Sequence, residues 1–283
     1  MTRRSLKEIV GGSVKLSSLP EVYFRIQAIL NDPRSSFADI AEVISSDVAL
    51  SARIMRIVNS SFYQFPSPID NITHAVSIIG TWQLRDLALS TTILSRFKGI
   101  PEKYINMKSF WKHSITCGIA ARLIGIQNNE PNAERLFLAG LLHDVGRLVL
   151  LENLPEEAEE IMSRFVMEDK LLSQIEMEVL GFNHTDVGAA LMEHWNLPNS
   201  LTEVIAYHHK PLEAPNHGYE ASIVHLADIF AKAMESGSSG DDSVPPLEQE
   251  AWTQAKLHQS FLPLLWKRVE SQYDVTVETV TLE

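Results

Sequence analysis

The chain has 283 residues, with 36 acidic against 24 basic side chains and a net charge of -12 at pH 7. That length makes one large domain or two modest ones. The acidic balance argues against broad contact with nucleic-acid phosphates, which needs a basic face, although a local site can still hold a small anion. A single cysteine, Cys117, excludes an intrachain disulfide and fits a reducing compartment. No signal-peptide core follows the first eight residues, and the longest apolar run is interrupted by His143-Asp144 and Arg147 before it reaches membrane-spanning length. A cytoplasmic protein is expected, with neither a membrane nor a nucleic-acid partner.

Taken in order, the chain reads as helix almost throughout, with no run of alternating β-branched residues bounded by turn signals. Leu19-Pro20 opens a helix with Val22, Ile26, Ile29 and Leu30 on one side, closed at Asn31-Asp32-Pro33. Ser35 or Ser36 caps Phe37 to Ile44, Asp47 caps Val48 to Val58, and Asn71 opens Ile72 to Ile79, which Gly80 closes. Trp82 to Phe97 is a further amphipathic helix. These short helices form a bundle over residues 14–99, and Gly99-Ile-Pro101 is the best boundary after it.

Beyond that boundary the helices lengthen and the histidines gather, in a second lobe assigned to residues 100–236. Ser109 to Ile126 carries His113, and Leu136 to Leu151 carries His143-Asp144 in its middle. Glu156 to Asp169 is charged and exposed. Leu171 to Leu180, His184 to Trp195, Ser200 to His209 and Glu220 to Ser236 follow. Residues 237–246, rich in Ser, Gly and Pro, read as a flexible loop, and 247–283 as peripheral helices with a β-branched tail from Tyr273.

The Leu136 to Leu151 stretch is apolar on nearly every face, so it should be buried. A buried carboxylate is costly unless compensated. Asp144 therefore has a structural cation, hydrogen-bond donors or a metal beside it. His113 lies on a helix that a short loop joins to this one, His184 begins a helix, His208-His209 end one, and Asp228 sits within apolar His225-Leu-Ala-Asp-Ile-Phe. Imidazole with carboxylate suits iron, zinc, manganese or nickel, as one or two divalent ions. Each residue alone has a plainer explanation: a packed core histidine, a carboxylate on helix termini, or histidines favoured at a helix C-terminus. His194 and His258 are assigned to surface or capping roles, and His74 to packing in the first bundle.

The order of these residues resembles a known pattern. His113, His143-Asp144 and Asp228 match the H…HD…D order of the HD metal-dependent phosphohydrolases. His184 and His208-His209 look like the extra ligands of the dinuclear branch that includes the HD-GYP phosphodiesterases. Ser18-Leu-Pro20, Ile44-Ser-Ser-Asp47-Val-Ala-Leu50, Arg56-Ile-Val-Asn59-Ser60, Ala75-Val-Ser-Ile-Ile-Gly80, Arg85-Asp-Leu-Ala-Leu-Ser90 and Trp111-Lys-His113-Ser resemble the HDOD family, the HD-related output domain. That resemblance runs over roughly residues 14–232. It implies an all-α fold of two helical lobes and a bacterial signal-transduction output protein acting by protein or small-ligand contact.

It also implies a metal set of His113, His143, Asp144, His184, His208, His209 and Asp228. Many members lack these ligands; here every position is filled. If the site is catalytic, the resemblance makes Asp144 the bridging ligand and Arg147, where HD-GYP members usually carry lysine, the contact to a substrate phosphate. The Gly218-Tyr219 pair is present but its proline and preceding loop are not, which argues against cyclic-di-GMP hydrolysis. Two functions stay open: a signalling protein with a partner on the first bundle or in the crevice between lobes, and a metal-dependent phosphohydrolase acting on a nucleotide or cyclic dinucleotide.

Overall fold

A computed structural model describes residues 5–12, 19, 21–93, 97, 100–241 and 243–280, and none of them lies in a strand. Local chemistry sets the helix starts. α1 (Leu6–Gly12) and α2 (Glu21–Leu30) precede α3 (Phe37–Ser45), where the Asp39 carboxylate accepts both the N–H and the hydroxyl of Ser36. α4 (Val48–Val58) is capped by Asp47, whose Oδ1 accepts from the Leu50 amide at 2.9 Å, and α5 (Ile72–Ile79) by Asn71, whose Oδ1 accepts from the His74 amide at 2.8 Å. Gly80, at φ 102°, ends α5 in a conformation only glycine adopts without strain.

α6 (Thr81–Ile93) departs from the amphipathic helix expected there. Every residue from Leu84 to Ile93 is buried, polar ones included, because α6 is enclosed by α2, α4 and α5 on one side and a later helix on the other. Arg85 and Asp86 survive burial as a pair, and Arg85 also donates to Gln27 Oε1 at 3.0 Å. His74 is exposed on α5 rather than packed in the bundle. Pro20, Leu94 to Arg96 and Gly99 lie outside the described residues, and with them one helix start, one helix end and the expected domain boundary.

α7 (Met107–Gln127) is the axis of the remainder, buried from Phe110 to Gly125 except Lys112. α8 (Ala133–Leu142) lies directly on it because Gly118 and Gly140 face each other: a β-carbon at Gly140 would stand 2.8 Å from Gly118 Cα. α9 (Val145–Asn153), α10 (Pro155–Met167), α11 (Leu172–Leu180), α12 (His184–His194), α13 (Asn199–Tyr207), α14 (Gly218–Ala233), α15 (Gln249–Gln254) and α16 (Leu262–Val280) complete the chain. α16 runs through the β-branched tail as helix, packing on α4 and α7. The buried apolar side chains form one continuous cluster from α1 to α16. No helix among the described residues is long and apolar enough to cross a membrane.

α9 and α12 touch through glycine. A methyl at Gly146 would run into the His184 carbonyl oxygen and the Gly188 amide nitrogen, both backbone. This contact brings His184 up to Asp144. Gly146→Ala must therefore separate two backbones, which costs about 1–3 kcal/mol or more. Urea unfolding is expected to show that loss, and a midpoint unchanged from the wild type would refute the contact.

Candidate metal centre

The helix expected to run through His143-Asp144 is broken there. α8 stops at Leu142, α9 starts at Val145, and Asp144 sits between them at φ -100°, ψ 5°. Neighbours on an unbroken helix point about 100° apart. The break turns both side chains into one space, with His143 Nε2 3.2 Å from Asp144 Oδ2. Flanking apolar helices hold them there: His143 is 0 % and Asp144 2 % exposed.

The other expected ligands arrive from four further helices. α7 brings His113, whose Nε2 is 3.0 Å from Asp228 Oδ1; α14 brings Asp228, also 3.6 Å from His143 Nε2. α12 begins with His184, its Nε2 3.0 Å from Asp144 Oδ1. α13 ends at His208 and His209: His208 Nε2 is 3.7 Å from Asp144 Oδ1, and His209 Nε2 is 3.1 Å from His184 Nε2. Two groups result, His113–His143–Asp228 and Asp144–His184–His208–His209, and within each the donor atoms lie within 4.8 Å of one another. All seven residues expected as ligands are therefore brought together.

The donor atoms are aimed for a cation. His143 Nδ1 donates to the Gly140 carbonyl at 2.7 Å and His208 Nδ1 to the Ile205 carbonyl at 2.8 Å, which turns each Nε2 inward. His184 Nδ1 donates to Glu176 Oε2 at 2.6 Å. Asp144 Oδ1, Asp228 Oδ1 and His208 Nε2 are buried with no hydrogen-bond partner. Converging orphaned acceptors are costly in a dry interior, and a divalent ion relieves all of them at once. The residues fit a metal.

Electrostatics point the same way. Burial alone would raise the Asp144 carboxyl; the charges of His143 and Arg147 outweigh it and hold the group well below the usual carboxylate range. Burial raises Asp228 too, but Lys232, 3.3 Å from its Oδ2, keeps it ionised. Burial pushes the His208 imidazole down to about 4, and also lowers His209, so both are neutral donors. His143 is raised well above its ordinary value despite burial, because Asp144 lies against it.

Arg147 does not reach into open space. Its Nε donates to Glu176 Oε1 at 3.2 Å and its Nη1 to both the carbonyl and the hydroxyl of Ser239 at 2.9 Å, with Asp144 Oδ2 3.6 Å away. The loop carrying Ser239 is seated rather than free. Ser239 is wholly buried, Ser238 N–H donates to the Ser109 hydroxyl at 2.9 Å, and Asp241 Oδ2 accepts from the Leu172 amide at 3.3 Å. Gly237 lies against the Ser109 carbonyl and His113 backbone, where a β-carbon has no room. The segment thus covers the centre from the His113 side, and Arg147 ties it to Glu176.

Glu176, Lys232 and this cover escaped the sequence argument. Lys232 had a signal, being four residues after Asp228 on one helix face. Glu176 had none, since neither its helix pattern nor its eight-residue distance from His184 marks it as that residue's partner. Glu176→Gln keeps the shape but weakens the carboxylate that orients His184. Such outer partners are worth about 10–100-fold in metal affinity. Competition with a fluorescent chelator is expected to show a loss in that range, and an unchanged affinity would exclude the role.

Comparison with known proteins agrees with this architecture. The family model for the HDOD domain matches residues 16–211. An uncharacterised protein of Treponema pallidum (strain Nichols) is 27% identical over 204 residues, 71% of this chain and 39% of the relative, so the chain spans about two-fifths of that protein's length. The crystal structure of an HDOD domain protein of unknown function from Geobacter sulfurreducens superposes with a TM-score of 0.77 at 25% identity, covering 98% of this chain and 97% of the other. A protein of Shewanella amazonensis SB2B, named as a candidate metal-dependent phosphohydrolase, gives a TM-score of 0.62 at 25% identity, covering 95% and 100%.

Proposed function

The chain belongs to the HDOD domain family, and from that premise we propose that it is a signal-transduction output protein whose HD-like helices hold two divalent ions. The observation carrying the second part is Asp144, whose Oδ2 faces His143 while its Oδ1 faces His184. That carboxylate would be shared between the His113–His143–Asp228 set and the His184–His208–His209 set, each able to hold an ion. Iron, manganese, zinc or nickel suits imidazole and carboxylate donors. The division of labour follows from the sequence order: residues 14–99 for contact, 100–236 for metal.

Contact as the mode of output is supported by the closed state of the centre and by the surface of the first helices. Six of the seven ligands are buried, and the Ser236–Asp241 cover occupies the Arg147 donors that a phosphate would need. Meanwhile Phe24, Phe37, Val48, Ile78 and Trp82 all stand well exposed on α2 to α6, Val48 at 81 %. These offer a signalling partner apolar anchors.

The shared carboxylate favours a second function, hydrolysis of a nucleotide or cyclic dinucleotide. Two bound ions would polarise a phosphoryl oxygen and acidify a water. The chain's own part would be to orient His184 through Glu176, to keep Asp228 ionised through Lys232, and to exclude water with the Ser236–Asp241 segment. Arg147 would meet phosphate only by exchanging Ser239 for it. Elemental analysis followed by a screen against nucleotides and cyclic dinucleotides separates the functions. Bound metal without turnover is expected; metal-dependent turnover would replace contact by catalysis.

A further inference from the structure

His208, the C-terminal cap of α13, and His209 after it supply two of the donors grouped with Asp144. The last carbonyls of a helix have no partner within it, and a buried helix end must find donors elsewhere. A tightened final turn would bond the His208 carbonyl to the amide of residue 211, but that residue is Pro211, which has no N–H. The donor comes instead from another helix. His225 of α14 places its Nδ1 2.9 Å from the His208 carbonyl oxygen. A carbonyl oxygen can only accept, so Nδ1 donates.

Packing alone does not account for a histidine at this position. His225 is 2 % exposed, and burial lowers its imidazole, so the ring is neutral and carries one N–H. With that hydrogen on Nδ1, Nε2 is an acceptor, and it is buried with no hydrogen-bond partner. An apolar side chain of similar volume would fill the same space without stranding an acceptor. The bond to His208 is what sets the histidine apart.

That carbonyl lies in the peptide plane joining His208 to His209. The plane is rigid, so holding its oxygen fixes the direction in which both residues leave it. The His208 ring is fixed separately, through Nδ1 on the Ile205 carbonyl. The far end of the same connection is clamped by Glu203, which accepts from the amides of Asn216 and His217. His225 also stands three residues before Asp228, on the same face of α14. One helix therefore serves both donor groups, by the Asp228 carboxylate in one and by a hold on the backbone of the other.

We propose that His225 is a positioning residue for the second donor group: its Nδ1–H holds the His208–His209 peptide so that both imidazoles meet the ion they share with Asp144 and His184. This rests on the two-ion reading of the centre. His225 itself touches no metal.

The test compares two uncharged amides in the full chain. His225→Asn carries a side-chain N–H close to where Nδ1 stands, whereas His225→Gln carries it further out, towards Nε2. Zinc affinity is measured by competition with a fluorescent chelator. His225→Gln is expected to weaken one of the two ions by about 10–100-fold and to leave the other within about threefold, as loss of an outer partner does. In an Asp228→Ala chain, which should keep only the ion at Asp144, His184, His208 and His209, the same loss should fall on that single ion. His225→Asn should stay within about threefold of its parent in both settings, and all variants should keep a helical circular dichroism spectrum. Equal affinities in the Asn and Gln variants would overturn the proposal, since the donor would then be dispensable. An equal loss at both ions would also overturn it, because His225 would then support the fold at large. A chain with His225 intact that takes up no zinc would overturn the two-ion reading itself.

Discussion

Asp144→Ala is expected to empty the centre of both ions at once. Its Oδ2 faces His143 and its Oδ1 faces His184, so if each group holds an ion a single truncation removes one ligand from both. Loss of an outer hydrogen-bond partner costs about 10–100-fold in metal affinity, and loss of a shared ligand should exceed about a hundredfold. Elemental analysis of the purified variant should find metal near background while its far-ultraviolet circular dichroism remains that of a helical fold. Asp228→Ala tests the sharing itself. Asp228 belongs to the His113–His143 group alone, so that variant should keep the ion held by Asp144, His184, His208 and His209. If Asp144→Ala loses no more metal than Asp228→Ala, Asp144 does not bridge.

Metal should also carry a large share of the protein's stability. Without an ion, two carboxylates and five imidazoles crowd one buried volume, with His113 Nε2 and His143 Nε2 3.4 Å apart. An ion that binds only the folded chain stabilises it by about 4 kcal/mol at a thousand times its Kd. With about 2–4 °C per kcal/mol for a protein near this size, chelation should lower Tm by roughly 8–16 °C. The pH dependence has a definite sign. His143 and His184 are raised above their ordinary values in the metal-free fold, so they hold protons that the ion must displace. Metal affinity should weaken as pH falls through those raised values and be greatest above them. Calorimetry in two buffers of different ionisation enthalpy should show proton release on binding.

Much of this was legible in the sequence because it rests on local chemistry. Asp47, Asn71 and Gly80 announce helix ends through their own side chains or lack of one, and each acts where it stands in the chain. The ligand order was legible for another reason: scattered His and Asp residues in apolar helices are costly singly, and their succession matched a family. What was not legible depends on tertiary contact. The break at His143-Asp144 is invisible in a stretch whose apolar pattern runs straight through it. Burial of Arg85 and Asp86 follows from enclosure of α6, which no periodicity within α6 reveals. The segment from Ser236 to Asp241 has the composition of a free linker, yet its small residues are what allow it to lie against Ser109, His113 and Arg147.

Crystals of the full chain grown with manganese, measured for anomalous scattering, test the central claim most directly. Two peaks are expected, one among His113, His143 and Asp228 and the other among His184, His208 and His209, with Asp144 contributing one oxygen to each. Absence of density between these donors, or a single ion that leaves one group without a cation, would contradict it.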